Sequence, residues 1–387
     1  MRLHHFLSFY YFLQILLLMI GGLSVLRQLG VINITVVLLA GSWLIDIVFI
    51  FFALSVIRKF EIPGWVLLSA SVLILAPLIG LGNQFLNRTF MTDMIVYYTF
   101  FFKIFIFYHL FKDIKYVNQY HRFLNSYTFW AVVVGVLTIS IMTLLKNYGH
   151  KFYFSSSPDI TFAYAMSIVK GNTIGSYFIM LIGVLSGKRM LFVGLSVIFL
   201  LSFRRYVSST RHNLIMVAVI LGGMLFLETT NYLALPGIAK IQQVFSTEAS
   251  DFVELLQKAA PHRFNEVLSI MYVMEWYDYI LGKGFGFRFF WLGNEELHEA
   301  GITHSNAHFT PFGLVSKFGI LGASLFFIMF FYVLRKAFKL RKESPISYMN
   351  YLFMVSILIQ SLFAYILFNN TLVPLVIAYV LSQRNKQ

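Results

Sequence analysis

The chain has no cysteine in its 387 residues. That excludes a disulfide framework, a thiolate metal site and a cysteine nucleophile. Charge is also scarce: Asp, Glu, Lys and Arg make up 12% of the sequence, against about a quarter in soluble domains. Acids are the scarcer sign, 16 against 30 Lys and Arg, for a net charge of +14. The excess is not a nucleic-acid signature, because the bases stand in short clusters between apolar runs. No small-residue cleavage site follows the first apolar stretch, so 1–30 reads as a first span and not as a removed signal peptide. No P-loop ending of Gly-Lys-Ser/Thr occurs, and no inverted internal repeat is visible.

What is abundant is apolar: 59% of residues are hydrophobic and the mean hydropathy is +0.76. This defines a polytopic membrane protein. Apolar runs fall near 6–29, 33–57, 64–82, 90–111, 123–145, 158–170, 171–186, 190–203, 213–229, 309–334, 346–368 and 372–382. Basic clusters follow several of them: Arg58-Lys59; Lys112, Lys115 and Arg122; Arg204-Arg205 and Arg211; Arg335-Lys336, Lys339 and Arg341-Lys342; Arg384 and Lys386. Placing all of these in the cytoplasm requires twelve crossings with both termini inside. Runs 158–170 and 372–382 are short for lone spans and read equally as broken or re-entrant helices. The expected fold is therefore all-α, one integral membrane domain over 1–387 of about 10–12 transmembrane helices. One large helical extracytoplasmic loop, 231–308, is inserted between spans.

Ionisable residues within spans are few: Asp46, Asp93 near an end, Lys103 and His109. Such groups are functional candidates by default. Proton-coupled transporters carry them near the middle of several spans; here only Asp46 and Lys103 qualify, and mutual pairing is the simpler reading.

The long loop holds nine of the sixteen acids. Within it, 238–258 reads as an amphipathic helix lying along the membrane surface or over a cavity. Pro261 breaks that pattern. A second helix is expected from Arg263 to Tyr279, with Val267, Ile270, Met271, Met274 and Tyr277 on its apolar face. Arg263 and Glu266 stand three apart, so a weak local ion pair is the plain reading of Arg263. Gly282-Lys-Gly-Phe-Gly286 marks a tight turn where backbone could approach a ligand, and Arg288 follows. His304 and His308 are one helical turn apart at the point of re-entry. No His-Glu-x-x-His arrangement accompanies them, so no metal site is expected. They fit a general base, an anion contact, or plain interfacial hydrogen bonding. On the assigned topology Lys188 and Arg189 face outside, against the positive-inside trend. Bases beside a tight Gly turn there suit a phosphate or pyrophosphate ligand, or they simply snorkel from a turn.

The order of these features resembles the bacterial O-antigen polymerase and ligase superfamily. The segment His308-Phe-Thr-Pro-Phe-Gly-Leu-Val-Ser-Lys-Phe-Gly319-Ile-Leu-Gly322 looks like its re-entry signature, a His ahead of a span carrying Gly-x-x-Gly. Arg263 followed by Ile280-Leu-Gly-Lys-Gly-Phe-Gly286 is similar to its loop pattern. Ser186-Gly-Lys-Arg189 resembles its Ser-Arg element, and Ser157-Pro158-Asp159 resembles the start of an earlier span. The resemblance covers about 157–322. The family often has His-Asn just before the span; here His308 precedes Phe309 and His304 precedes Ser305-Asn306. Spacing to Gly319 favours His308, with His304 second.

The resemblance implies an all-helical, C-type glycosyltransferase of the bacterial cytoplasmic (inner) membrane with its active site facing the periplasm. It would move a growing glycan from undecaprenyl pyrophosphate to the next lipid-linked repeat unit, as a polymerase of O-antigen, capsule or exopolysaccharide. The alternative within the family is a ligase delivering glycan to lipid A-core; outside it, a polysaccharide or lipid transporter. It also implies no metal and no cofactor. The partners would be the lipid-linked donor and acceptor, the bilayer and a chain-length regulator protein, with no nucleic acid. Arg263 is the expected catalytic arginine and His308 the base, with His304 as second candidate. Arg189, Lys188 and Arg288 would hold the pyrophosphate. Fixed guanidinium groups stabilise the charge that grows on such a leaving group.

Overall fold

The computed structural model describes residues 3–22, 34–57, 64–146, 157–186, 189–206, 261–291, 303–305, 307–362, 364, 367–368 and 370–383. These residues are organised by helices. In chain order they are α1 (Leu3–Gly22), α2 (Ile34–Val56), α3 (Gly64–Gly82), α4 (Arg88–Leu110), α5 (Ile114–Lys146), α6 (Ser157–Val169) and α7 (Thr173–Leu185). Then come α8 (Arg189–Tyr206), α9 (Pro261–Val273), α10 (Trp276–Leu281), α11 (Thr310–Leu340), α12 (Pro345–Ser361) and α13 (Leu372–Ser382). Among the described residues the one β contact is an antiparallel bridge between Phe289 and His304.

Four of the described helices are long and apolar enough to cross a membrane: Leu3–Gly21, Arg88–Leu110, Ile114–Ile141 and Thr310–Leu340. The chain is thus an all-α membrane protein. Further apolar helices are shorter, among them Gly41–Val56, Ser71–Gly82, Thr173–Gly183 and Met190–Ser202, so the full set of twelve crossings is not reached by length among the described residues. The run 213–229 and the amphipathic stretch 238–258 lie outside those residues. The two short runs do form helices, α6 and α13. Both are enclosed by protein: α6 is buried from Ser157 to Ile168 apart from Asp159, and α13 from Leu372 to Leu381. A helix too short for the hydrocarbon core is tolerated where protein surrounds it.

The chain divides into two compact units, Met1–Ile45 with Asp113–Ser246 and Ala337–Ile359, and Asp46–Lys112 with Thr247–Lys336 and Gln360–Gln387. In the first unit α1 lies on α5, where Tyr11 stacks on Phe123 at 4.3 Å and the Gln119 amide donates to the His4 carbonyl at 3.1 Å. Tyr127 on α5 donates to the Asp159 carboxylate on α6 at 2.6 Å. Gly135 lets the two helices close in, since a Cβ there would stand 2.7 Å from the Ile160 side chain.

The second unit is built around a loop threaded among α3, α4 and α11. Pro77 inside α3 has no N–H to give to the Leu73 carbonyl, and the Tyr98 hydroxyl donates to that oxygen at 2.7 Å. Gly319 interrupts α11 at φ 65° and ψ 177°. The carbonyls of Ser316 and Lys317 then accept from the backbone of Lys283 at 2.8 Å and Gly284 at 3.0 Å. Phe285 N–H donates to the Ala76 carbonyl at 3.1 Å, and its ring is fully buried, stacked 5.5 Å from Tyr97 and edge-on to Phe318. These three bonds give protein partners to backbone groups of the loop and to carbonyls that the break in the helix leaves free.

The glycine turn allows close backbone approach to neighbouring helices. A Cβ at Gly284 would lie 2.3 Å from the Gly80 nitrogen and 2.6 Å from the Ala76 carbonyl, and its φ is +83°. Gly284→Ala should cost about 1–3 kcal/mol from overpacking, on top of the left-handed backbone penalty. Thermal unfolding of the detergent-solubilised protein measures this; an unchanged midpoint would remove the close-approach argument.

Two ion pairs cross this unit. Asp46 and Lys103 pair at 2.6 Å, each buried, as the simpler sequence reading held. The second involves Asp93, which lies in the second turn of α4, near the end of that span as expected. Asp93 is 2% exposed and paired with the fully enclosed Lys317 of α11, and its other oxygen accepts from Gly286 N–H at 3.0 Å.

Candidate functional site

The loop that ends at Phe287 leads directly to the candidate residues. α9 and the re-entry segment are held together by a small apolar core of Ile270, Met274, Phe287, Phe289 and Ala307. Its face differs from the one periodicity suggested. Glu266, Ser269, Ile270 and Met274 are buried, whereas Met271 and Tyr277 are exposed. The expected single helix to Tyr279 is also broken at Met274–Glu275, where Asp278 turns back to accept from the Glu275 N–H at 2.8 Å and starts α10.

Burying Ile270 one turn further along carries Glu266 to the same face. Its carboxylate is almost wholly enclosed and lies 2.9 Å from Nδ1 of His308, which sits beside the buried Ala307. An ionised carboxylate only accepts, so Nδ1 donates to it, and whenever the ring is neutral Nε2 is the nitrogen that keeps its lone pair. The His308 side chain is 44% exposed, open enough to meet a substrate. Glu266 thus contacts His308; its expected pairing with Arg263 falls on a side chain outside those described. A buried carboxylate on one ring nitrogen can hold a histidine in a single orientation, a geometry compatible with a general base and equally with a structural hydrogen bond.

His304 stands next to it. The Phe289–His304 bridge fixes its backbone with bonds of 2.9 and 2.8 Å, and Trp291 meets its ring edge-on at 5.0 Å. Its Nε2 is buried without a hydrogen-bond partner. Burial lowers its pKa; Glu266 opposes this, while the charges of His308 and Arg288 add to it. The sign follows directly. A histidine that takes up its proton less readily when folded loses stability as pH falls through its unfolded value, about 6.5. The protection factors of the amides at the Phe289–His304 bridge, which correct for the intrinsic slowing of exchange in acid, should therefore fall below that pH. His304→Phe, which keeps the ring, should remove the effect; persistence in that variant would assign it elsewhere.

Arg288 is exposed and donates through Nη2 to the Thr303 carbonyl at 2.9 Å. It flanks the bridge, with its charge felt at His304. Arg263 stands in the first turn of α9, three residues before Glu266. Arg189 is the first residue of α8, in the other unit, and Lys188 lies outside the described residues. Of the expected site residues, Arg288, His304 and His308 come together. Glu266 joins them, a residue sequence reasoning had placed in a local helix pair. Its signal was present: an acid at the register of the buried face. Among the described residues no group of three His, Cys, Asp or Glu is placed to hold a metal ion.

The fold and site define an all-α membrane protein with a histidine–carboxylate pair just ahead of a candidate membrane span. No protein-family model matches the chain, and no curated protein gives a significant match.

Proposed function

We propose that this protein is a metal-independent glycosyltransferase of the polysaccharide-polymerase type, using a polyprenyl-pyrophosphate-linked glycan as donor. The observation that carries the reading is the buried Glu266 carboxylate on Nδ1 of a half-exposed His308, 2.9 Å apart, with Arg288 and His304 alongside. In the proposed reaction Nε2 of His308 takes the proton of the acceptor sugar hydroxyl. The hydroxyl oxygen bonds to the donor's anomeric carbon, and the bond from that carbon to the pyrophosphate breaks. Glu266 stabilises the imidazolium, and the leaving group takes its charge to guanidinium groups, for which Arg288 and Arg263 are the candidates. The resemblance of 157–322 to the O-antigen polymerase and ligase superfamily supplies the substrate class. Pairing of Asp46 with Lys103 and of Asp93 with Lys317 leaves those four charges to a structural role, which weighs against a transporter that moves protons through them.

The test is the surface glycan of a deletion strain complemented with the wild type or with Arg263→Ala, checking membrane levels. Loss of the long-chain ladder with single repeat units still attached supports a polymerase, and failure of Arg263→Ala to restore it supports the arginine. Loss of all attached glycan, with long chains left on the lipid carrier, means a ligase. An unchanged ladder in the deletion strain sinks both and returns the transporter reading.

A further inference from the structure

The face of α9 and α10 turned away from the site is apolar and bare. Met271, Tyr272, Trp276, Tyr277, Ile280 and Leu281 are 45%, 82%, 73%, 49%, 43% and 53% exposed. Between Met271 and Leu281 the exposed face carries one charge, Glu275, while Asp278 is turned inward. A water-facing surface of this composition is unusual, and contiguous exposed apolar patches mark an interaction surface. Trp and Tyr with aliphatic neighbours are the side chains that favour the boundary between headgroups and acyl chains.

The patch is continuous with the exposed apolar face of α11, a helix long and apolar enough to cross a membrane. Gly319 of α11 lies so close to the end of α10 that a Cβ there would meet the Ile280 carbonyl at 2.0 Å and the Leu281 nitrogen at 2.6 Å. The next two residues of that span, Ile320 and Leu321, are 53% and 61% exposed. The apolar surface thus runs from α11 onto α10 and along α9 without a charged break other than Glu275. From this continuity we infer that α9 and α10 form a ledge seated in the headgroup–acyl boundary of the bilayer, with phospholipid as the occupant of this face.

The ledge has two apolar sides with different partners. One packs on Phe287, Phe289 and Ala307 and carries Glu266; the other lies in lipid. This explains why helical periodicity misplaced its buried face. The inference stands on exposure and continuity, independent of the transfer reaction. Under the transferase reading it adds one consequence: the His308–Glu266 pair is held at the height where the pyrophosphate of a lipid-linked donor lies.

The absence of native cysteine makes the test direct. Single-cysteine variants Tyr272→Cys and Trp276→Cys of the full chain are labelled with a nitroxide and reconstituted into phosphatidylethanolamine–phosphatidylglycerol vesicles. Collision with oxygen, which concentrates in acyl chains, is compared with collision with a water-soluble nickel chelate. Ile328→Cys, on the exposed face of α11, calibrates the bilayer, and Lys342→Cys, in the turn after α11, calibrates water. Labels at 272 and 276 should give an oxygen-to-nickel ratio shifted from the Lys342→Cys value toward the Ile328→Cys value. A ratio equal to that of Lys342→Cys overturns the inference and makes the patch water-facing, as a sugar-stacking platform would be. A label reached by neither collider overturns it too, and assigns the patch to a second copy or a protein partner.

Discussion

If the proposed transferase reading is right, replacing His308 by Ala is expected to reduce glycan-chain elongation by roughly 10²–10⁴-fold, the range for loss of a positioned general base. Elongation of a lipid-linked repeat unit by purified protein measures it. The fold should survive, because the His308 side chain is 44% exposed and the neighbouring core rests on Ala307. Glu266→Gln separates base from orienter. The amide oxygen can still accept from Nδ1, but its charge is gone, so the imidazolium formed in the reaction is no longer stabilised. An intermediate loss is expected. Combining both changes should do no more damage than His308→Ala alone, since a carboxylate acting through the imidazole has nothing left to act on. Additive losses in the double variant would mean that Glu266 serves a separate purpose, and full activity of His308→Ala would remove the base altogether.

Lys317→Met should be among the most destabilising single changes in the chain. It strands the Asp93 carboxylate, 2% exposed, without its cation, and breaking a buried pair from one side costs about 3–5 kcal/mol. The companion variant Asp93→Asn with Lys317→Met should recover most of that loss. No uncompensated charge remains, and the Asn carbonyl can still accept from Gly286 N–H as Asp93 does. Thermal unfolding in detergent compares the three proteins. Equal stability of Lys317→Met and wild type would show that water or another group reaches Asp93. Because the pair clamps the loop that leads into Arg288 and the Phe289–His304 bridge, the single variant should also lose activity below its unfolding temperature.

The membrane class was legible from composition, and the positions of most helices from apolar runs. α3 and α13 match their runs at 64–82 and 372–382. α5 begins earlier than its run, at Ile114, because Tyr120, Phe123 and Leu124 find protein to bury against and the polar residues between them do not end the helix. The site was legible as a neighbourhood: Arg288, His304 and His308 were singled out by residue type and place. Their orienting carboxylate was not, since Glu266 and His308 are 42 residues apart and the nearer Arg263 offered a simpler partner. The tight glycine turn was legible, but not the helices it packs against, because glycine permits close approach to anything, ligand or helix.

Sequence alone determined that the chain lives in a membrane, that thiol chemistry is absent, and where its polar and apolar stretches alternate. These are sums over local composition, and transfer from water to lipid depends on little else. Which charges meet is a different kind of fact. That Asp93 reaches Lys317, that Glu266 turns inward to His308, and that Gly319 opens α11 to receive Lys283 and Gly284 depend on pairings across tens to hundreds of residues. Only the tertiary structure decides them, because each partner is fixed by burial and unsatisfied backbone groups that arise once the helices have packed.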